Sequence, residues 1–158
     1  MTTVRFGSAG FEPFNLRLDR FSDQLRDAEP AFEAMATYQV EVVNKRQFRQ
    51  QGSAETGKWA PLSPPYARWK AKRRPGRPIL VFDGDLRDSM TIPHNGVWEV
   101  WDRGFVVGTA VDYAIYHQKG TDHMPARPLL GSPRRSDTRA LTKILQRWIV
   151  EGVANARP

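Results

Sequence analysis

Between Gln51 and Pro78 the chain places Gly52, Gly57 and Gly76 among Pro61, Pro64, Pro65, Pro75 and Pro78. Glycine and proline at this density punctuate regular structure, so no long helix or central strand crosses the stretch. The 158 residues suit one hydrophobic core better than two. The expectation is a single domain over residues 1–158, with 51–78 as one long loop inside it. A loop beyond about 12–15 residues is usually functional or disordered. This one carries Trp59 and Trp69, so it is expected to dock on something and to be mobile before it does.

On the N-terminal side, Leu18, Phe21, Leu25 and Ala28 recur at helical spacing. Pro30 ends that run and suits the first turn of a second, longer helix. Phe32, Met35, Ala36, Val40 and Val43 share its apolar face, and Phe48 lies near its last turn. A short helical turn fits Tyr66 to Lys72. Beyond the loop, Ile79 to Phe82 is an apolar run, and Asp85 is placed to cap a turn over Leu86 to Met90. Thr91-Ile92, Val97 to Trp101 and Phe105 to Ala110 read as three antiparallel strands joined at Asn95-Gly96 and Arg103-Gly104. Tyr113 to Gln118 reads as a short helix stopped by Gly120, and Met124 to Pro133 as an extended strap. Ser136 or Asp137 would cap a last helix facing inward with Leu141, Ile144, Leu145, Trp148 and Ile149. The sum is α+β: a small antiparallel sheet packed by a long helix from the N-terminal half and a C-terminal helix.

The formal charge of +7 is concentrated. Residues 51–80 hold seven basic side chains against Glu55 alone, while the flanking segments nearly balance. Lys70, Lys72, Arg73, Arg74 and Arg77 are the candidates for contact with phosphates, within a basic stretch spanning 58–77. A solvated loop kept soluble by its charges explains the same residues.

Little here suggests chemistry. With no cysteine there is no disulfide, thiolate metal site or cysteine nucleophile. His94, His117 and His123 have no carboxylate at zinc-site spacing, and Asp83, Asp85 and Asp88 lack the distal glutamate of a calcium loop. Gly104 and Gly108 open no phosphate loop, and Ser63, Ser89 and Ser132 sit in no nucleophile elbow. The expectation is a protein without catalysis, cofactor, metal or small-molecule substrate. No segment approaches the length of a membrane span.

One ordered set of short motifs stands out. It begins with Arg46-Gln47-Phe48 and Gly57-Lys58-Trp59-Ala60-Pro61-Leu62-Ser63, then Lys70, Ile79-Leu80 and Gly84-Asp85-Leu86-Arg87-Asp88-Ser89. It continues with Val107-Gly108 and the run from Asp112-Tyr113-Ala114 to His117-Gln118-Lys119-Gly120, and ends with Met124-Pro125-Ala126-Arg127-Pro128-Leu129-Leu130-Gly131. This order resembles the phage virion-morphogenesis or tail-completion family, over slightly more than half the chain. Asp83, where a small hydroxyl residue is usual, and Lys119, where an aromatic is usual, depart from the pattern.

The resemblance implies a structural part of a tailed phage, assembled in the host cytoplasm and carried in the virion at the neck or tail. It implies a homo-oligomeric ring in contact with other neck and tail proteins, with genomic DNA passing its lumen. Trp59, Leu62, Trp69, Tyr113, His117 and Arg127 are the expected subunit-interface residues. Two of these have an alternative. Arg127, stiffened by Pro125 and Pro128, either presents its guanidinium to a partner carboxylate or satisfies its own domain; Trp59 either anchors on a neighbour or closes its own core.

Overall fold

The computed structural model describes residues 12–131, 133–152 and 154. The chain is α+β, as the sequence predicts. Helix α1 spans Glu12–Arg26 and α2 spans Glu29–Tyr38, with Pro30 in its first turn. There the missing N–H of proline costs no hydrogen bond. The long predicted helix is real but not uniform. After α2 the chain widens into a π-helical segment, Gln39–Asn44, before α3 resumes over Lys45–Gln50. Wide turns of this kind shift the phase of a helix. Here Val40 and Asn44 are both buried, and Asn44 Nδ2 donates to Met90 O at 2.7 Å. Gln51, at φ 51°, ends the helix in the left-handed conformation.

The stretch 51–78, expected as a long loop with one short helical turn, is an arm with more regular structure than that. It opens with a two-residue ladder, β1 (Gly52–Ser53) against β2 (Gly57–Lys58). At Gly52, φ is +129° and a Cβ would sit 2.3 Å from Gly57 O, so only glycine fits there. Helix α4 then runs over Pro64–Arg73, with proline again in its first turn. Trp59 and Lys70 of the arm are both 4% exposed: Trp59 packs into the core, and Lys70 folds the arm on itself by donating to Pro78 O. Its prolines start a helix that covers and extends the turn expected at Tyr66 to Lys72.

Helix α5 covers Asp85–Thr91. Asp85 is not its cap: that position belongs to Gly84, at φ 130°. The predicted three strands are two. Thr91 closes α5, a turn through Ile92 and Asn95 follows (Asn95 N to Ile92 O, 3.2 Å), and β3 (Val97–Trp101) pairs with β4 (Gly104–Gly108). Asn95-Gly96 therefore makes no hairpin. Gly96 answers a different need, since a Cβ there would lie 2.2 Å from Gly108 O and 2.3 Å from Ser89 O. The hairpin turn is Asp102-Arg103, with Trp101 opposite Gly104. Trp98 Nε1 donates to Glu33 Oε2 at 3.1 Å, tying the hairpin to α2.

Helix α6 (Ala114–Lys119) is stopped by Gly120, as expected, and α7 spans Arg135–Glu151. Neither Ser136 nor Asp137 caps α7, which begins before both. Asp137 instead turns inward at 1% exposure, ion-paired with Arg46.

Two apolar clusters result. In one, Ala34 and Tyr38 of α2 meet Ala140 and Ile144 of α7, with Met35, Val43 and Leu141 packed around them. In the other, Phe48 and Trp59 join Val81, Leu86, Met90, Ala114 and Leu129. The expected apolar face of α1 behaves differently. Leu18 and Phe21 are 48% and 44% exposed, and the Leu25 side chain lies outside the described residues. The helix is fastened through another face, where the Trp148 indole donates to Gln24 O at 3.1 Å. Among the described residues no helix is long and apolar enough to cross a membrane.

Candidate functional site

The sequence motifs meet in space. Arg46, Gln47 and Phe48 are consecutive on α3, and each pins a different part of the fold. Arg46 pairs with Asp137 of α7, Gln47 Nε2 donates to Pro128 O at 2.8 Å, and the Phe48 ring meets Trp59 edge-on at 5.3 Å. Pro128 O accepts a second bond, from Trp59 Nε1 at 2.8 Å. Gln118, on α6, clamps the same strap: its Oε1 accepts from Leu129 N (2.7 Å) and Leu130 N (2.9 Å), and its Nε2 donates to Leu130 O (2.9 Å). The backbone of Arg127 completes the junction by donating to His117 O at 2.7 Å. Gly120 is required where the chain doubles back, because a Cβ would lie 2.8 Å from Ala126 N.

Through His117 and Arg127 this junction borders an open cleft of ≈ 960 Å³. Its walls come from the arm (Pro61, Leu62, Pro64, Tyr66), from Leu80 to Phe82, from Tyr113 on the approach to α6, and from Met124 and Pro125 of the strap. Lys70, His117 and Arg127 also line it. Of the six expected interface residues, Leu62, Tyr113, His117 and Arg127 thus converge on one cleft. Trp69 stands outside it. Its ring stacks between Tyr66 at 5.3 Å and Phe82 at 5.6 Å, with the Arg73 guanidinium 5.3 Å from its centroid. Trp59 lies beneath the cleft, in the core, so of its two readings the structure displays the one that closes its own domain.

Arg127 is resolved the same way. It is 3% exposed; Nε donates to Ala60 O at 2.7 Å and Nη2 to Pro61 O at 2.9 Å. The stiff Pro-Ala-Arg-Pro segment aims the guanidinium at its own arm, where it also lines the cleft. Burial holds its pKa below the ordinary arginine value. Arg127→Ala is expected to leave both carbonyls without donors and to cost about 1–3 kcal/mol of stability. Lysine should restore only part of this, since one ammonium does not reproduce a planar fork. Thermal melting of the two variants checks it; an alanine variant as stable as the parent would contradict the bonding described.

His117 Nδ1 is buried and finds no hydrogen-bond partner. Burial, and secondly the charge of Arg127, hold the imidazole pKa below its ordinary 6.5. The unfolded chain therefore takes up this proton at higher pH than the folded one. The resulting stability is complete above the unfolded value and is lost as pH falls through the folded value. Parent melting temperature should drop on acidification from about pH 7.5 to 5, and His117→Gln should lack that component of the drop. Parallel pH profiles for the two proteins would contradict this.

The candidate phosphate contacts divide. Lys70 is 4% exposed, lines the cleft and donates to the Pro78 carbonyl, its pKa held down by burial. Arg74 is held by Asp83 through Nε (2.7 Å) and Nη2, and its guanidinium lies 4.8 Å from the Phe82 centroid. Lys72, Arg73 and Arg77 are exposed. Among the described residues no cluster of histidines and carboxylates could hold a metal ion.

Sequence reading missed Tyr66 and Phe82 as cleft walls and the Arg46–Asp137 pair. The spacing of Tyr66 and Trp69, one helical turn apart, was the available signal for the aromatic stack. A partner 91 residues away in sequence gives none for the ion pair.

The description of the phage virion morphogenesis family matches this chain over residues 10–149. No curated protein and no solved structure matches it.

Proposed function

The chain belongs to the phage virion morphogenesis family, and from that premise we propose that it is a non-catalytic, ring-forming protein that completes the tail. Its station is the head–tail junction or the tail end. It is built in the host cytoplasm, joins other neck and tail proteins, and ends in the virion around the DNA path. The observation that carries this reading is the cleft. Its lining draws Leu62, Leu80, His117 and Arg127 from four of the family-like motifs, while Tyr66 and Tyr113 on its walls remain 43% and 45% exposed. A rigid lining with exposed aromatic walls suits a subunit contact, because the anchor position is fixed before docking. Closed rings need such contacts to be heterologous, one surface meeting a different one. A nonsense mutation in the gene should yield heads and tails that fail to join or tails left unfinished; intact infectious particles would overturn the reading.

A second reading, non-specific DNA binding, is favoured by the exposed Lys72 and Arg73 at the end of α4 and Arg77 just beyond it. Three phosphate contacts would give a logarithmic salt slope of about −2.7, from roughly 0.9 per phosphate neutralised. A salt titration of duplex binding measures it. Tight, sequence-selective binding would instead mark a regulator.

A further inference from the structure

Two buried cations line the cleft and pair with neither of its carboxylates, Asp83 and Asp85. Arg127 is 3% exposed and bonded to neutral carbonyls, and Lys70 is 4% exposed and bonded to one. Neither forms an ion pair among the described residues. Of the two carboxylates in the lining, Asp83 is occupied by Arg74, and Asp85 is exposed to solvent and bonded to neither cation. His117 adds a buried ring nitrogen without a partner. Buried charge is normally matched by opposite charge, and buried polar atoms by hydrogen bonds. An apolar cleft with a cationic floor and an orphaned donor or acceptor is complementary to a carboxylate carried on an apolar segment.

The same subunit offers such a segment elsewhere. On α1, Leu18 and Phe21 hold the helical spacing of a buried face yet are exposed. Beside them Asp19 and Asp23 are exposed and form no ion pair among the described residues. No residue of α1 lines the cleft. Donor and receptor are therefore different surfaces of one chain, the arrangement that propagates around a ring.

We propose that the cleft receives helix α1 of the next copy of this chain, with Leu18 and Phe21 against its apolar walls and the carboxylates of Asp19 and Asp23 toward Lys70 and Arg127. The inference rests on the ring reading above. The test places a photo-cross-linking side chain at Phe21 (Phe21→p-benzoylphenylalanine) in the full-length chain, within assembled particles. Cross-linked pairs of copies should map to Leu62, Tyr66 or Met124. In parallel, Asp19→Lys combined with Asp23→Lys should weaken self-association roughly tenfold or more, with the melting temperature unchanged because neither side chain is paired within the subunit. Cross-links between copies that avoid the cleft, or self-association indifferent to the charge reversal, would overturn this contact and leave the ring reading standing. A chain that is present in particles without self-contact, or absent from them, would overturn both.

Discussion

Trp59→Ala is expected to destabilise the protein by about 3–5 kcal/mol, the usual cost of removing a large buried aromatic. The indole is 4% exposed, meets Phe48 edge-on, and donates to Pro128 O. Its loss opens a cavity among Phe48, Leu86, Met90 and Leu129, and it removes one of the two donors to that carbonyl. The damage should not stay local. Trp59 holds the start of the arm against the strap that carries Arg127, so the cleft should loosen with the core. A drop in melting temperature of about 10 °C or more is expected for a domain of this size. Trp59→Phe should recover most of the packing and none of the hydrogen bond, placing it between the two. A Trp59→Ala protein that melts with the parent would place the indole at the surface.

The second large effect belongs to Arg46. Its guanidinium pairs with Asp137, whose side chain is 1% exposed, and the bond to Asp137 holds the Arg46 pKa above its ordinary value. Tyr38 OH also donates to that carboxylate, at 3.4 Å. Arg46→Ala would strand a buried negative charge with a long tyrosine bond as its remaining support, at a cost of about 3–5 kcal/mol. Replacing both partners with apolar residues of similar size should cost much less, because no charge is then left uncompensated. Urea unfolding of the single and paired variants separates the two cases. If Arg46→Ala and the paired replacement are equally stable, the pair is not buried as described.

Much of the fold was legible because it depends on local pattern. The α6 stop at Gly120, the inward face of α7 and the strands on either side of Arg103-Gly104 follow from periodicity and turn chemistry. The misreadings share a different cause. Asn95-Gly96 has the composition of a hairpin turn, but Gly96 is there for the close passage of Gly108 in β4 and Ser89 in α5, which turn composition does not encode. Asp137 looks like a cap because it stands in a first turn; its partner, Arg46, lies 91 residues away in the chain. The prolines of 51–78 read as interruptions although Pro64 and Pro65 begin a helix. Lys70 and Arg74 read as exposed cations until the arm folds back and gives them Pro78 and Asp83.

The candidate site was half legible for the same reason. Family-like motifs named Leu62, Tyr113, His117 and Arg127, and all four line one cleft. Their individual roles depend on how the arm and the strap cross, which no single segment encodes. Arg127 faces inward because Ala60 and Pro61 pass above it. Phe82 and Tyr66 become walls only because α4 packs there, with Trp69 stacked between them.

The most direct test of the proposed role is cryo-electron microscopy of the phage particle, with this chain identified by a small C-terminal tag. The account predicts a closed ring of copies around the DNA path, at the head–tail junction or the tail end, with each copy's cleft covered by its neighbour. Particles that lack the chain, or that carry it as isolated copies without mutual contact, would contradict it.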